Sequence, residues 1–228
     1  MVDAALLEIE GVLFDTRRLR RASLQDALLE HGIAMDVDAD LADALAPRTA
    51  AAALLEAEQV PFDEVMLDLI AASAERLFAA RIGATGAALA PGALDFVREG
   101  AAMARLAIVT RARRSEAEAL LRLASIEEFI GVVVTADDVV DGKPSPEGHL
   151  LALERLNRQR PVASASVIAL EDGAGGIAAA HRAGVRCVAI GPSPAHVVME
   201  ADAYVESLVG HSVRSLDVLS RPGRERVQ

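Results

Sequence analysis

The stretch Leu6-Leu7-Glu8-Ile9-Glu10-Gly11-Val12-Leu13-Phe14-Asp15-Thr16 opens with a short apolar run that is followed by acids and a glycine. This pattern is typical of a buried parallel strand that ends in a turn. Open α/β sheets bind ligands at the carboxyl ends of their strands, and Glu8 and Glu10 lie at that end. Residues two apart on a strand point to the same face, so both acids can line one site. A solvated acidic loop is the alternative.

Composition narrows the class of protein. The chain has 228 residues, of which 52% are hydrophobic, enough for one sizeable core or a core plus a small second domain. Its formal net charge of −11 argues against non-specific binding to nucleic acid or to an anionic membrane. The single cysteine, Cys187, excludes an intrachain disulfide and fits a reducing compartment. No signal peptide and no membrane-length apolar run is evident, so we expect a cytoplasmic protein.

The composition changes after Thr16. Residues 17–84 are rich in Ala, Leu, Glu and Arg and contain almost no strand-like runs. Leu24, Ala27 and Leu28 recur at helical spacing, and Gly32 fits a helix C-terminal cap. Further helices are predicted over 38–46, 48–58 and 62–82, before a return linker over 83–92 that is punctuated by turn residues.

This pattern predicts a helical unit over residues 17–84, inserted into a core formed by residues 1–16 and 85–228. A helical segment that belongs to the main core is the alternative. Strands and helices alternate only after the insertion, which favours the separate unit.

Two apolar stretches in the second half carry candidate polar groups at or beyond their ends. Arg105-Leu-Ala-Ile-Val-Thr110 reads as a strand that ends in a hydroxyl, and Gly131-Val-Val-Val-Thr135 reads as another. The turn Gly142-Lys143-Pro144-Ser145-Pro146 follows, before a helix. It is not a phosphate-binding Walker loop, because Pro144 interrupts the pattern and the upstream glycine is missing. An ordinary surface lysine is the alternative for Lys143.

A third stretch, from Val167 to Val185, consists of an apolar strand, the pair Glu171-Asp172, a glycine-rich turn and an alanine-rich helix that closes at Gly184. Gly173-x-Gly175-x-x-Ala178 after a strand also fits a dinucleotide fingerprint. The acidic pair disfavours that alternative because it would repel a pyrophosphate. The next strand also ends in Gly191-Pro192 rather than in the acid that would hold a ribose.

Taken in order, these stretches resemble the four motifs of the haloacid dehalogenase superfamily, in its phosphoglucomutase-like and phosphoglycolate phosphatase-like branch. The first motif is matched at Gly11, Val12, Leu13 and Asp15. Glu8 and Glu10 stand where the family has aspartates. The resemblance implies an α/β fold: a doubly wound, Rossmann-like parallel sheet that carries an inserted α-helical cap.

The resemblance also implies roles for individual residues. Glu8 takes the position of the family's nucleophile and Glu10 that of its general acid/base. Thr110, Arg111 and Lys143 are expected to hold the transferring phosphoryl group, and Arg48 lies where a cap can present an arginine to substrate. A solvated helix residue is the alternative for Arg48.

A Mg²⁺ cofactor is implied as well, with ligands drawn from Glu8, Glu10, Glu171 and Asp172. Carboxylates, water and phosphate oxygens are the ligands that Mg²⁺ prefers. The implied substrate is a small phosphorylated metabolite, and the implied reaction is the hydrolysis of its phosphate monoester. The sequence does not define the substrate or the oligomeric state.

The two glutamates are the main departure from the family. Each adds one methylene, about 1.5 Å of chain, and a misplacement of about 1 Å can slow a reaction on the order of 100-fold. Three hypotheses follow: a working phosphatase with a reshaped site, a catalytically silent protein that binds Mg²⁺, phosphate or a partner protein, and a structural use of the fold.

Overall fold

This computed structural model describes residues 2–38, 41, 45–192 and 194–222. They divide into two compact units, Met1–Asp15 with Ala88–Gln228, and Thr16–Ala87. The helix predicted over 38–46 falls largely outside the described residues. Among the helices of the described residues, none has the length and apolar character that crossing a membrane requires.

A six-stranded sheet forms the centre of the first unit. The strands are β1 (Ala4–Leu7), β4 (Arg105–Val109), β5 (Ile130–Val134), β6 (Val167–Glu171), β7 (Arg186–Ile190) and β8 (Ala203–Val205). Their order across the sheet is β5-β4-β1-β6-β7-β8, and every neighbouring pair is parallel. All four residues of β1 are buried, as expected for a strand covered on both faces.

Helices cover both faces of this sheet. On one face, Ala107 and Val109 of β4 share a buried cluster with Ala152 and Ile177, which come from two helices. On the other face, Gly100 lies close both to Leu106 of β4 and to Val213, and Gly100 and Val213 come from two further helices. The helices of this unit are Ala93–Met103, Arg114–Leu123, Glu147–Gln159, Ala174–Arg182, Ala195–Glu200 and Val213–Leu219. The predicted doubly wound parallel sheet is therefore confirmed.

A short antiparallel pair, β2 (Phe14–Asp15) and β3 (Ala88–Leu89), was not predicted. Phe14 pairs with Leu89, and Asp15 pairs with Ala88. The chain thus leaves and re-enters the first unit at one place. Two-residue strands give too short a pattern to be found from sequence.

The second unit contains the helices Arg17–Glu30, Pro47–Ala57 and Glu64–Thr85. Leu28, Leu55 and Ile70, one from each helix, belong to its buried cluster. The Asp63 carboxylate caps the third helix by accepting a hydrogen bond from the Met66 amide. The prediction that a linker begins at Gly83 is wrong, because this helix continues to Thr85 and ends at Gly86, whose φ is 69°.

Candidate active site

The strand register brings the motif residues to one edge of the sheet. Leu7, the last residue of β1, is level with Ile108 of β4 and with Leu170 of β6. The polar residues that come next along each strand therefore emerge together at the carboxyl edge. This edge collects Glu8, Thr110, Glu171 and Asp172.

Glu8 follows β1 directly and is buried, with 2% of its surface exposed. Its carboxylate folds back, so that Oε1 accepts a hydrogen bond from the Ile9 amide at 2.7 Å. Its other oxygen, Oε2, accepts from Lys143 Nζ at 2.7 Å. The longer glutamate side chain is thus accommodated by a bend and two hydrogen bonds.

Lys143 is not an ordinary surface lysine, because only 7% of its side chain is exposed. Besides Glu8, its ammonium contacts Oε1 of Glu171 at 2.7 Å and Oε2 at 2.9 Å. It also donates to the carbonyl oxygen of Val109 at 2.8 Å. The buried ammonium of Lys143 therefore contacts residues at the ends of three strands, β1, β4 and β6.

These contacts determine the charge states. Burial opposes the charged form of Glu8, but the positive charges of Lys143 and Arg111 and hydrogen bonds from Lys143 and Thr110 lower its pKa below the usual value. Burial likewise opposes charge on Lys143, but Glu171 and Glu8 raise its pKa. Glu8 and Lys143 are accordingly an ionised carboxylate–ammonium pair.

The acidic pair lies in space that two glycines leave open. A Cβ added to Gly176 would lie 2.0 Å from Glu171 Oε2. A Cβ added to Gly11 would lie 2.1 Å from Asp172 Oδ2, and Gly11 has a φ of 75°. The glycine-rich turn after β6 therefore makes room for the Glu171 carboxylate.

The charged form of Asp172 is disfavoured in this site, where several acidic side chains lie close together. Burial, the neighbouring charge of Glu8 and, to a smaller extent, Glu171 raise its pKa to about 7, against an opposing effect of Arg111. A carboxylate whose charge is this disfavoured would be stabilised by one more cation.

Three further predicted site residues, Thr110, Arg111 and Glu10, follow the strands β4 and β1. Thr110 is buried directly after β4, and its Oγ1 accepts a hydrogen bond from the Ala112 amide at 3.1 Å. Arg111 is next to it and exposed. Glu10 lies in the turn after β1 and is partly exposed. The role of each in the reaction stays a prediction.

Arg48 lies in the second unit, near the start of the helix Pro47–Ala57. Its guanidinium donates to Asp68 Oδ1 at 2.7 Å and also to the Glu64 carboxylate. Contact between Arg48 and a substrate stays a prediction.

The chemistry of the donor set fits a hard divalent cation. Glu8, Glu171 and Asp172 supply buried carboxylate oxygens, and burial together with the charge of Glu8 raises the pKa of Asp172. The geometry is not that of a closed ligand set. Across the part of the chain that the structure describes, no three acidic, histidine or cysteine side chains converge as metal ligands, and Lys143 lies between Glu8 and Glu171.

Sequence reasoning missed His149, which is fully buried with Nε2 at 3.2 Å from Glu171 Oε1. No second histidine or cysteine lies at metal-ligand spacing from it in the sequence, so that spacing did not single it out. Its position six residues after Lys143, in the first turn of the helix that follows the turn 142–146, is the signal that could have found it.

Comparison with known proteins shows which family the chain resembles over most of its length. Residues 6–190 match the family of haloacid dehalogenase-like hydrolases. Over 210 residues the chain is 30% identical to the validoxylamine A 7'-phosphate phosphatase of Streptomyces hygroscopicus subsp. limoneus. The aligned region covers 91% of this chain and 95% of that protein.

Two crystal structures of CbbY from Rhodobacter sphaeroides are also similar. The complex with phosphate has a TM-score of 0.81 at 27% identity and covers 95% of this chain and 100% of that one. The complex of a CbbY mutant with xylulose-(1,5)bisphosphate has a TM-score of 0.80, with the same identity and coverage. The predicted resemblance is therefore confirmed.

Proposed function

Because the chain belongs to the haloacid dehalogenase-like hydrolases, we propose that it is a phosphatase that hydrolyses the phosphate monoester of a small metabolite. The observation that carries the proposal is the buried, ionised Glu8 carboxylate held by Lys143 at the carboxyl edge of the sheet. A sugar phosphate is the proposed substrate class, since the similar CbbY protein binds xylulose-(1,5)bisphosphate. A cytoplasmic setting, expected from the single Cys187, is part of the proposal.

In the proposed reaction Glu8 is the nucleophile. One carboxylate oxygen forms a bond to phosphorus while the ester P–O bond breaks, which leaves an acyl phosphate on Glu8. Glu10 protonates the departing alkoxide. Glu10 then accepts a proton from the water that attacks the acyl phosphate, and this attack releases inorganic phosphate and restores Glu8.

The cationic and hydroxyl groups around Glu8 suit the phosphoryl oxygens. Lys143 supplies a buried ammonium, Thr110 supplies a hydroxyl, and Arg111 adds positive charge that already acts on Glu8. Phosphoryl transfer depends mainly on such positioning and charge stabilisation. Lys143 must exchange part of its contact with Glu8 and Glu171 for contact with the phosphoryl group.

Magnesium is part of the proposal, with Glu8, Asp172 and Glu171 as the residues that would hold it and Glu10 as a further candidate. When bound, Mg²⁺ would neutralise charge on the phosphoryl oxygens. The support from this chain is the grouping of three acidic side chains at one edge of the sheet, where burial and the charges of Glu8 and Glu171 raise the pKa of Asp172.

One observation favours a second candidate, a catalytically silent protein that binds Mg²⁺ or phosphate. Both Glu8 oxygens are engaged, Oε1 by the Ile9 amide and Oε2 by Lys143. An oxygen must be released from one of these bonds before it can attack phosphorus. In a silent protein this closed arrangement would persist when phosphate binds.

The deciding experiment is phosphate release in the presence of Mg²⁺ from a panel of sugar phosphates, phosphoglycolate and a chromogenic phosphate ester. Turnover by the wild type that is lost in Glu8→Gln supports the phosphatase. If no ester is hydrolysed while calorimetry detects binding of Mg²⁺ and inorganic phosphate, the silent binding protein is the better account. Turnover that survives in Glu8→Gln contradicts the assignment of the nucleophile.

A further inference from the structure

His149 occupies an unusual position for a polar side chain. It is 0% exposed, and its Nε2 lies 3.2 Å from Glu171 Oε1. Neither ring nitrogen makes a hydrogen bond of acceptable geometry within the described residues. A buried polar group left without a hydrogen bond destabilises the folded state, and an apolar side chain of similar size would avoid that cost. Packing alone therefore does not account for a histidine here.

The Glu171 carboxylate is enclosed on several sides. Lys143 Nζ contacts both of its oxygens, at 2.7 and 2.9 Å. The Gly176 backbone closes in on Oε2, since a Cβ there would lie 2.0 Å away. His149 approaches the other oxygen, Oε1. Glu171 thus has one strong partner, Lys143, and a second donor within reach that makes no hydrogen bond while Lys143 is in place.

A bound phosphoryl group changes this balance. In the proposed phosphatase, Lys143 turns part of its hydrogen bonding toward phosphoryl oxygens, and Glu171 then loses a donor in a buried site. A buried carboxylate that loses part of its hydrogen bonding is destabilised unless another donor or a cation replaces it. A small shift of the ring or of the carboxylate is enough to turn the 3.2 Å contact of His149 into a hydrogen bond.

We propose that His149 is a positioning residue: its Nε2–H bonds to Glu171 Oε1 and holds that carboxylate in place when Lys143 engages the phosphoryl group. The inference rests on the proposed function, because it requires a phosphoryl group at Lys143. It assigns to the imidazole no part in bond making or bond breaking.

Two substitutions separate positioning from packing. His149→Leu fills the space without a donor, so the melting temperature should be unchanged or higher while kcat falls about 10- to 100-fold, the usual effect of losing such a supporting partner. His149→Gln keeps a donor near the position of Nε2 and should recover most of kcat. KM should change little in either variant. The control is His196→Leu, since His196 is exposed and its loss should change neither quantity.

Heteronuclear NMR of the imidazole nitrogens provides a readout that does not need turnover. We expect the His149 proton on Nε2, with a change in its resonance when inorganic phosphate is added. A proton on Nδ1, or a resonance that phosphate at saturating concentration leaves unmoved, would overturn the inference. So would a His149→Gln enzyme no more active than His149→Leu. If the wild type hydrolyses no ester, the proposed function fails and the NMR result alone decides the role of His149.

Discussion

Lys143 Nζ lies 2.7 Å from Glu8 Oε2, and this contact joins residues that are 135 positions apart in the chain. Only 7% of the lysine side chain and 3% of the glutamate side chain are exposed. Removing one partner of such a buried pair leaves the other charge uncompensated. The contact is made by the longer side chain of glutamate. This favours a site that is built around glutamate over one in which Glu8 is a poor substitute for aspartate.

We predict that Glu8→Asp lowers phosphate release about 100-fold. The shorter side chain withdraws the carboxylate by about 1.5 Å from the position at which Glu8 now meets Lys143. A reacting group misplaced by about 1 Å can cost on the order of 100-fold in rate. The measurement is steady-state hydrolysis of the best ester of the panel, at saturating Mg²⁺.

Glu128→Asp is the matched control, because Glu128 is exposed and the same shortening there should leave the rate unchanged. An increase in rate on Glu8→Asp, alone or together with Glu10→Asp, would mean that the glutamates are mis-sized and that the site is not built around them.

We predict that Asp172→Asn abolishes the rise in melting temperature that Mg²⁺ produces. The ionisation of its carboxylate is disfavoured, since burial and Glu8 raise its pKa to about 7. Without Mg²⁺, the neutral amide removes that repulsion, and the melting temperature should hold or rise. Thermal unfolding with and without Mg²⁺ measures both effects.

The control for this experiment is Asp36→Asn, at an exposed position of the second unit, which should keep the full response to Mg²⁺. An undiminished Mg²⁺ response in Asp172→Asn would show that Asp172 is not a ligand.

The sequence predicts the carboxyl-edge site because each of its motifs couples an apolar strand to polar residues at its end. Thr110 and the pair Glu171-Asp172 were found in this way. The insertion of Lys143 between Glu8 and Glu171 could not be predicted, because it depends on the path of a turn and the bend of a side chain. His149 escaped because helix periodicity does not reveal which neighbour a buried ring will meet.

Asp138 provides a stability prediction in the first unit, separate from the site. Its carboxylate accepts hydrogen bonds from Arg155 at 2.8 Å, from Arg114 at 2.6 Å and from the Thr135 amide at 2.8 Å. Burial opposes the charge, but these bonds and the charge of Arg114 lower the pKa of Asp138 to about 2. The folded state therefore holds this proton less tightly than the unfolded chain does.

A carboxyl group whose pKa is lower in the folded state than in the unfolded chain stabilises the folded protein at pH values above the unfolded pKa, which is near 3.8. The contribution, about 2 kcal/mol from the size of the shift, is lost as the pH falls through about 2. Asp138→Asn should lower the free energy of unfolding by at least this amount near neutral pH and by progressively less below about pH 4. Urea unfolding across this range tests it, with the exposed Asp141→Asn as control. A loss of stability that does not depend on pH would contradict the ionic account.

Substitutions at two glycines, Gly11 and Gly210, separate the effect of backbone strain from the effect of crowding in the acidic site. The φ of Gly11, 75°, disfavours any other residue, and a Cβ there would lie 2.1 Å from Asp172 Oδ2. Gly210 has a φ of 73° but nothing within 4 Å of the added atom. We predict that Gly210→Ala costs about 1–2 kcal/mol in stability, the price of a left-handed residue, and keeps the response to Mg²⁺.

Gly11→Ala should cost more than Gly210→Ala and should also lose the Mg²⁺ response, because Asp172 must move to admit the methyl group. Thermal unfolding of both variants, with and without Mg²⁺, makes the comparison. Equal losses of stability with Mg²⁺ responses intact in both would show that the Asp172 carboxylate can shift without consequence. The proposed metal site would then not depend on its present position over Gly11.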